Sequence, residues 1–264
     1  MATQRKNASV KKPAVRKPAV SQSPVKKPVA KKRVDVDADS VVAWLKRTGT
    51  KRERDGMARF GLPSDKAFGV SVGTMQRYAK EIGQNHDLSL ALWARGWYEA
   101  RMMAAFVGEP DRVTPTQMDR WCKDFDNWGI VDTVCFKLFD QTPHAWSKVD
   151  QWSRREEEFV KRGGFALLAC LALHDKAASD DQFIRRLPLI ERASIDDRNF
   201  VKKGVSWAFR LIGRRSLALN EATVALSRRL TESPIASARW LGRGALKELT
   251  SPVVVRKLRA RRGQ

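Results

Sequence analysis

From about Asp37 onward, apolar residues recur along this chain at intervals of three and four. The alternation that marks a half-buried strand is scarce, so the pattern predicts helices throughout. They fall near 39–47, 51–59, 73–82, 87–95, 98–107, 115–125, 128–139, 144–153, 156–173, 180–192, 197–213, 216–230, 234–247 and 252–259. Gly61-Leu62-Pro63, Gly108-Glu109-Pro110, Thr142-Pro143 and Ser233-Pro234 punctuate them. The segments between run to roughly 10–18 residues, the ordinary length of globular helices. Thr114-Pro115-Thr116-Gln117 combines a capping Thr, a Pro at the first helical position and a Gln able to close a capping box. Ser251-Pro252 opens the last predicted helix in the same way.

Many short helices with short connections point to an all-α chain of stacked helical pairs, a HEAT-like helical-repeat solenoid (an α-α superhelix). Such repeats have a period of about 40 residues and diverge strongly, and no internal self-similarity is visible here. Stacking matters because it builds one continuous concave face.

Charge changes the picture. The chain has 51 Lys and Arg against 29 Asp and Glu, a net charge of +22. A surplus that large implies a polyanionic partner, with nucleic acid the commonest. Residues 1–34 hold 11 of the basic residues and no acid, in the loose repeat Lys11-Lys12-Pro13, Arg16-Lys17-Pro18, Lys26-Lys27-Pro28. Proline at that density blocks helix, and no aromatic is present to bury. Residues 1–36 are therefore expected to be a disordered basic tail, and 37–264 the folded domain. An anionic membrane surface is the bland alternative partner, but no apolar run reaches the roughly 18 residues of a membrane span. Nor does the start of the chain show the apolar core of a secretory signal. Cys122, Cys135 and Cys170 form neither a disulfide framework nor a zinc pattern, which fits core packing in a reducing compartment. No metal and no cofactor are expected. A monomer in the cytoplasm, associated with a bacterial nucleoid, is.

The stretch from Trp121 to Val134 holds the most chemistry. Asp126 or Asn127 would cap a helix, with Val131, Val134, Cys135 and Leu138 as its buried stripe. Asp132 follows Trp128 by one turn, so the two side chains share a face. A carboxylate among Ile130, Val131, Val134 and Phe136 is costly to desolvate and needs a cationic or hydrogen-bonding partner, or a task. Further on, Lys161-Arg162 stands beside an apolar run, and Gly163-Gly164 leaves room for close backbone approach. Lys203, Trp207 and Arg210 share another helical face, with Lys202 beside them, and cations next to rings suit a sugar–phosphate chain. Basic pairs at 154–155, 161–162, 185–186, 202–203, 214–215 and 228–229 could line one groove, each being as readily a solvated helix face.

Tyr98-Glu99-Ala100-Arg101, Trp128 through Asp132, Lys161-Arg162, and Phe200-Val201-Lys202-Lys203 with Trp207 together resemble the AlkD-like family of bacterial DNA alkylation-repair glycosylases. The resemblance spans about Leu88 to Leu258. It implies a HEAT-like fold acting on double-stranded DNA with alkylated bases. It also implies that Asp132 is the catalytic carboxylate and that Trp128 and Trp207 flank the lesion. Arg162 would then grip a phosphate or orient Asp132, while Lys161, Lys202, Lys203 and Arg210 contact DNA. The chain departs from the family in having Gly129 where a polar residue usually follows the Trp. The family's N-terminal aromatic corresponds to Trp44, Phe60 or Tyr78.

The chemistry implied is hydrolysis of the glycosidic bond of cationic purines of the 3-methyladenine and 7-methylguanine type. A cationic base leaves readily, so the demand falls on the positive charge that grows on the deoxyribose. A fixed carboxylate meets that charge and can orient water. The family does this without burying the base in a pocket. Neutral lesions would need an acid, and His86, His144 and His174 are candidates only in principle. Two alternatives stay open: a non-catalytic HEAT-repeat scaffold for damaged or branched DNA, and an RNA-binding or nucleoid-packing protein driven by the tail.

Overall fold

The computed structural model describes Met1 and residues 36–262. The basic tail expected over 1–36 lies outside the described residues except at Met1 and Val36. The chain then runs through α1 (Ala38–Thr48), α2 (Lys51–Met57), α3 (Val72–Ile82), α4 (His86–Ala94) and α5 (Tyr98–Val107). The middle comprises α6 (Pro115–Lys123), α7 (Trp128–Lys137), α8 (Ala145–Trp152), α9 (Glu158–His174), α10 (Asp180–Ile184) and α11 (Leu187–Ala193). The last four are α12 (Asn199–Gly213), α13 (Leu217–Thr231), α14 (Ala236–Leu249) and α15 (Pro252–Arg262). No strand occurs among the described residues, and no helix among them is long and apolar enough to cross a membrane.

Most helices begin where the sequence predicts, on side-chain caps. Asp37 accepts from the Ser40 N–H, Thr114 from Gln117 and Asn127 from Ile130, each satisfying a donor that the first turn leaves free. At 114–117 the structure shows the Thr114 half of the capping box, its Oγ1 accepting from the Gln117 N–H at 3.1 Å. One predicted helix, 180–192, is two. Pro188 lacks an N–H and crowds the carbonyl one turn back, so α10 stops at Ile184 and α11 restarts at Leu187 with Pro188 in its first turn.

The helices pack as pairs, α4 on α5, α8 on α9 and α13 on α14. The pairs join through a row in which α3 meets α5, α5 meets α7, α7 meets α9, α9 meets α12 and α12 meets α14. α9 is the axis of the core, with every residue from Phe165 to Ala172 buried. Its start carries the double glycine. A Cβ on Gly164 would sit 2.4 Å from the Ser153 amide nitrogen at the end of α8, so only glycine permits this approach. The three cysteines are buried thiols packed in the core.

Glu99 is the tie that shapes the N-terminal part. It is fully buried in the first turn of α5, and its two carboxyl oxygens accept from the N–H groups of Phe68, Gly69 and Val70 at 2.9, 2.7 and 3.2 Å. These bonds hold the segment that joins the 3-10 turn Ala58–Phe60 to α3. Gly69, at φ +82°, makes the bend and also accepts from the Thr50 N–H. Glu99→Ala leaves three donors unpaired in a buried setting, at about 1–3 kcal/mol each. We expect it to lower unfolding stability in urea by at least about 3 kcal/mol, and Glu99→Gln by less. A Glu99→Ala shift no larger than that of the exposed Glu221→Ala contradicts this account.

Candidate nucleic-acid and catalytic site

α7 starts on the Asn127 cap, which sets Trp128 as its first residue and Asp132 one turn later. Gly129 between them is closely approached: a Cβ there would meet the Tyr98 hydroxyl at 2.8 Å and Leu62 Cδ2 at 3.0 Å, so a larger residue would need the ends of those side chains to shift.

Asp132 meets Arg162 in a bidentate pair. Arg162 Nε donates to Oδ1 at 2.9 Å and Nη2 to Oδ2 at 2.7 Å. Its Nη1 donates to the Phe200 carbonyl at 2.7 Å, which ties α7, α9 and the start of α12 through one guanidinium. α12 comes close enough because residue 204 is glycine: a Cβ there would lie 3.3 Å from Arg162 Cγ. The side chain of Arg162 is only 7% exposed, and these bonds hold the carboxylate in place. Asp132 keeps 22% of its side-chain surface open. A carboxylate has about four acceptor sites, and Arg162 occupies two. Burial pushes the Asp132 carboxyl above the usual carboxylate range, opposed by the charge and hydrogen bonds of Arg162.

The open part of Asp132 faces two adjoining cavities. One, of about 520 Å³, is lined by Arg59, Phe60, Gly61, Trp128, Asp132, Arg162, Asn199, Phe200 and Lys203. The smaller, of about 170 Å³, is lined by Val72, Gln76, Phe106, Asp132, Thr133, Phe136, Lys137 and Trp207. Trp128 therefore stands in the first, Trp207 in the second, and Asp132 is common to both. Of the three N-terminal aromatics, Phe60 lines the larger cavity. Trp128 Nε1 donates to the Phe60 carbonyl at 2.8 Å, and Phe60 itself is 65% exposed. Trp44 and Tyr78 are instead stacked on each other, their ring centroids 4.0 Å apart. Gly61, left-handed at φ +66°, turns the chain over Phe200. The arrangement is a negative group at the base, indole and phenyl rings around it, and Arg59 and Lys203 as cations. It suits a cationic sugar carried on a phosphate chain.

The other expected contacts divide. Lys203 lines the larger cavity, and the Lys202 ammonium sits 5.2 Å from the ring centre of Trp240. Arg210 binds Glu248 at 2.8 Å and keeps 40% of its side-chain surface exposed. Lys161 is 12% exposed, and its ammonium lies between Asp196 and Glu156, at 3.2 and 3.6 Å. Several members of the basic pairs have partners within the chain. Arg155 pairs with Glu157, Arg186 with Asp150, Arg229 with Glu191, and Arg215 donates to the carbonyls of Ala172 and Ala178. None of the three histidines lines either cavity. His174 pairs with Asp140, and His86 is buried against the start of α4. Arg59, Asn199, Phe200 and Thr133 were not expected in the site. The only local signals for them were an aromatic before a glycine at 60–61 and a polar residue opening a helix at 199.

Three comparisons bear on this arrangement. A family model described as "DNA alkylation repair enzyme" matches residues 41–249, reaching well before Leu88. A solved structure titled "A new family of proteins related to the HEAT-like repeat DNA glycosylases with affinity for branched DNA structures" is similar in fold. It has a TM-score of 0.69 and 21% identity, and the match covers 81% of this chain and 94% of that one. The stacked helical pairs are thus a HEAT-like all-α fold. No curated protein matches the chain in sequence.

Proposed function

Since the chain belongs to the DNA alkylation repair enzyme family, we propose that it is an alkylpurine DNA glycosylase hydrolysing the N-glycosidic bond of cationic purines in duplex DNA. The observation that carries this is the Asp132 carboxylate, oriented at both oxygens by Arg162 yet open to two cavities walled by Trp128, Phe60 and Trp207. As the bond to a methylated N3 or N7 purine stretches, positive charge gathers on the deoxyribose. Asp132 stabilises that charge with a group already in place, and its free lone pairs orient the attacking water. The indoles exclude solvent and offer electron-rich faces to the cation. Arg162 positions Asp132, and Arg59 and Lys203 hold flanking phosphates. The cationic base leaves without a proton, which agrees with cavities that no histidine lines.

The test is incubation of the full chain with duplex DNA containing 7-methylguanine and 3-methyladenine, followed by assay of free base. Release supports the proposal. Tight binding without release supports the second reading, a non-catalytic scaffold. That reading is favoured by the fold likeness to a structure whose title reports affinity for branched DNA.

Acidity supplies a further check. Asp132 acts as the anion, so activity is present above its pKa and lost as pH falls through it. Burial raises that pKa, so the acid limb of the single-turnover rate is expected above pH 3.8, the ordinary aspartate value. A limb centred below 3.8 contradicts the assignment.

A further inference from the structure

The row of helices that forms the site continues to α14, and α14 carries a surface that the proposed chemistry leaves unused. Ser237, Ala238, Leu241, Gly242, Ala245 and Leu249 bury one side of it. Trp240, Arg243, Gly244 and Lys247 recur at three and four residues and are all exposed, so they align along the other side. Trp240 is 46% exposed, unusual for an indole. The Lys202 ammonium stands 5.2 Å from its ring centre, and Lys203, the next residue, lines the cavity that holds Asp132. Trp240 thus sits one helix beyond the candidate site. Among the described residues Lys202, Lys203, Arg243 and Lys247 form no ion pair. A Cβ on Gly244 would meet nothing within 4 Å, so the stripe is open along its length.

Cations without counter-charges select a polyanion. The indole adds a requirement that phosphate cannot meet, a flat partner for its π face. In an intact duplex every base is already stacked on its neighbours and shows only its edges in the grooves. The full face of a base becomes available to an indole on a basic surface where that base is released from pairing. We propose that Trp240, with Lys202, Arg243 and Lys247, is a second nucleic-acid contact that takes an unpaired nucleotide. The preferred DNA is then a duplex with a flap, gap or junction next to the segment bound at Asp132. This rests on the reading that the Asp132 side of the helix row binds DNA, and it is independent of the chemistry at Asp132.

The test uses the full chain, a labelled intact duplex and the same duplex carrying a short oligo-dT flap, with affinities taken from fluorescence anisotropy at one salt concentration. The wild type is expected to bind the flapped duplex about tenfold more tightly, the scale of one base–indole stack. Trp240→Ala should abolish that preference while leaving intact-duplex affinity within about twofold. Trp240→Phe should keep most of it, because a ring remains. Equal affinity of the wild type for both DNAs overturns the proposal. So does an equal loss on both DNAs in Trp240→Ala, which would make the indole a backbone contact. Running Asp132→Asn beside them separates the two readings. Base release by neither protein sinks the glycosylase assignment, base release unaffected by the change removes Asp132 from the chemistry, and either result leaves the flap preference standing. A missing flap preference with intact base release does the reverse.

Discussion

Asp132→Asn is expected to slow release of an alkylated purine by about 10²–10³-fold while leaving DNA affinity unchanged or slightly higher. The substitution keeps the shape of the side chain and one oxygen for Arg162, and removes only the charge. That charge acts where water is largely excluded, with 22% of the side-chain surface open, and it is already oriented before the sugar turns cationic. Preorganised groups of this kind contribute about 2.7–4 kcal/mol to the barrier, which is the stated range in rate. Binding moves the other way because a carboxylate repels the phosphates that Lys203 and Arg59 attract. Loss of the counter-charge to Arg162 also lowers stability, by about 1–3 kcal/mol, so the comparison belongs at a temperature well below the unfolding transition of both proteins. Single-turnover base release and anisotropy binding, measured on the same preparations, separate the effects. A rate unchanged in the variant reduces Asp132 to a structural partner of Arg162.

What could be read without the structure follows the range of the interactions involved. The helices were legible because burial on a helix repeats every three or four residues, and caps such as Asn127 act within one turn. The break at Pro188 was equally local, yet Phe183, Ile184, Leu187 and Ile190 keep the helical spacing across it and hid it. Asp132 and Trp128 were legible as a pair because they lie on one helix. Arg162, thirty residues further on, was legible only as a cation beside an apolar run, and its link to Asp132 came through resemblance. Phe60 touches Trp128 across 68 residues, and only the glycine after it sets it apart locally from Trp44 and Tyr78. Lys161 reads as a surface cation beside Arg162 until Asp196 folds back against it. Glu99 looks like an ordinary acid in a first helical turn, and only the strap at 68–70 reveals why it is buried.

Arg162→Met should do two things that a lost phosphate contact would not. Methionine keeps much of the stem that packs against Gly204 and removes three donated bonds, two to Asp132 and one to the Phe200 carbonyl. The Asp132 carboxylate is then mostly buried without a partner, which costs about 3–5 kcal/mol while it is charged. Arg162 is also what opposes the upward push of burial on Asp132, so its loss raises that pKa further. The signs follow. With the folded-state pKa above the unfolded value, protonation favours the folded form, so the stability deficit of the variant is largest at neutral pH and shrinks as pH falls through the raised pKa. The acid limb of base release moves to higher pH, and part of the lost rate returns in mildly alkaline buffer. A phosphate grip predicts otherwise: weaker DNA binding, a salt slope shallower by about one, and no movement of the limb. Denaturation at several pH values together with the rate profile decides between them, and a deficit independent of pH with an unmoved limb would overturn the positioning role of Arg162.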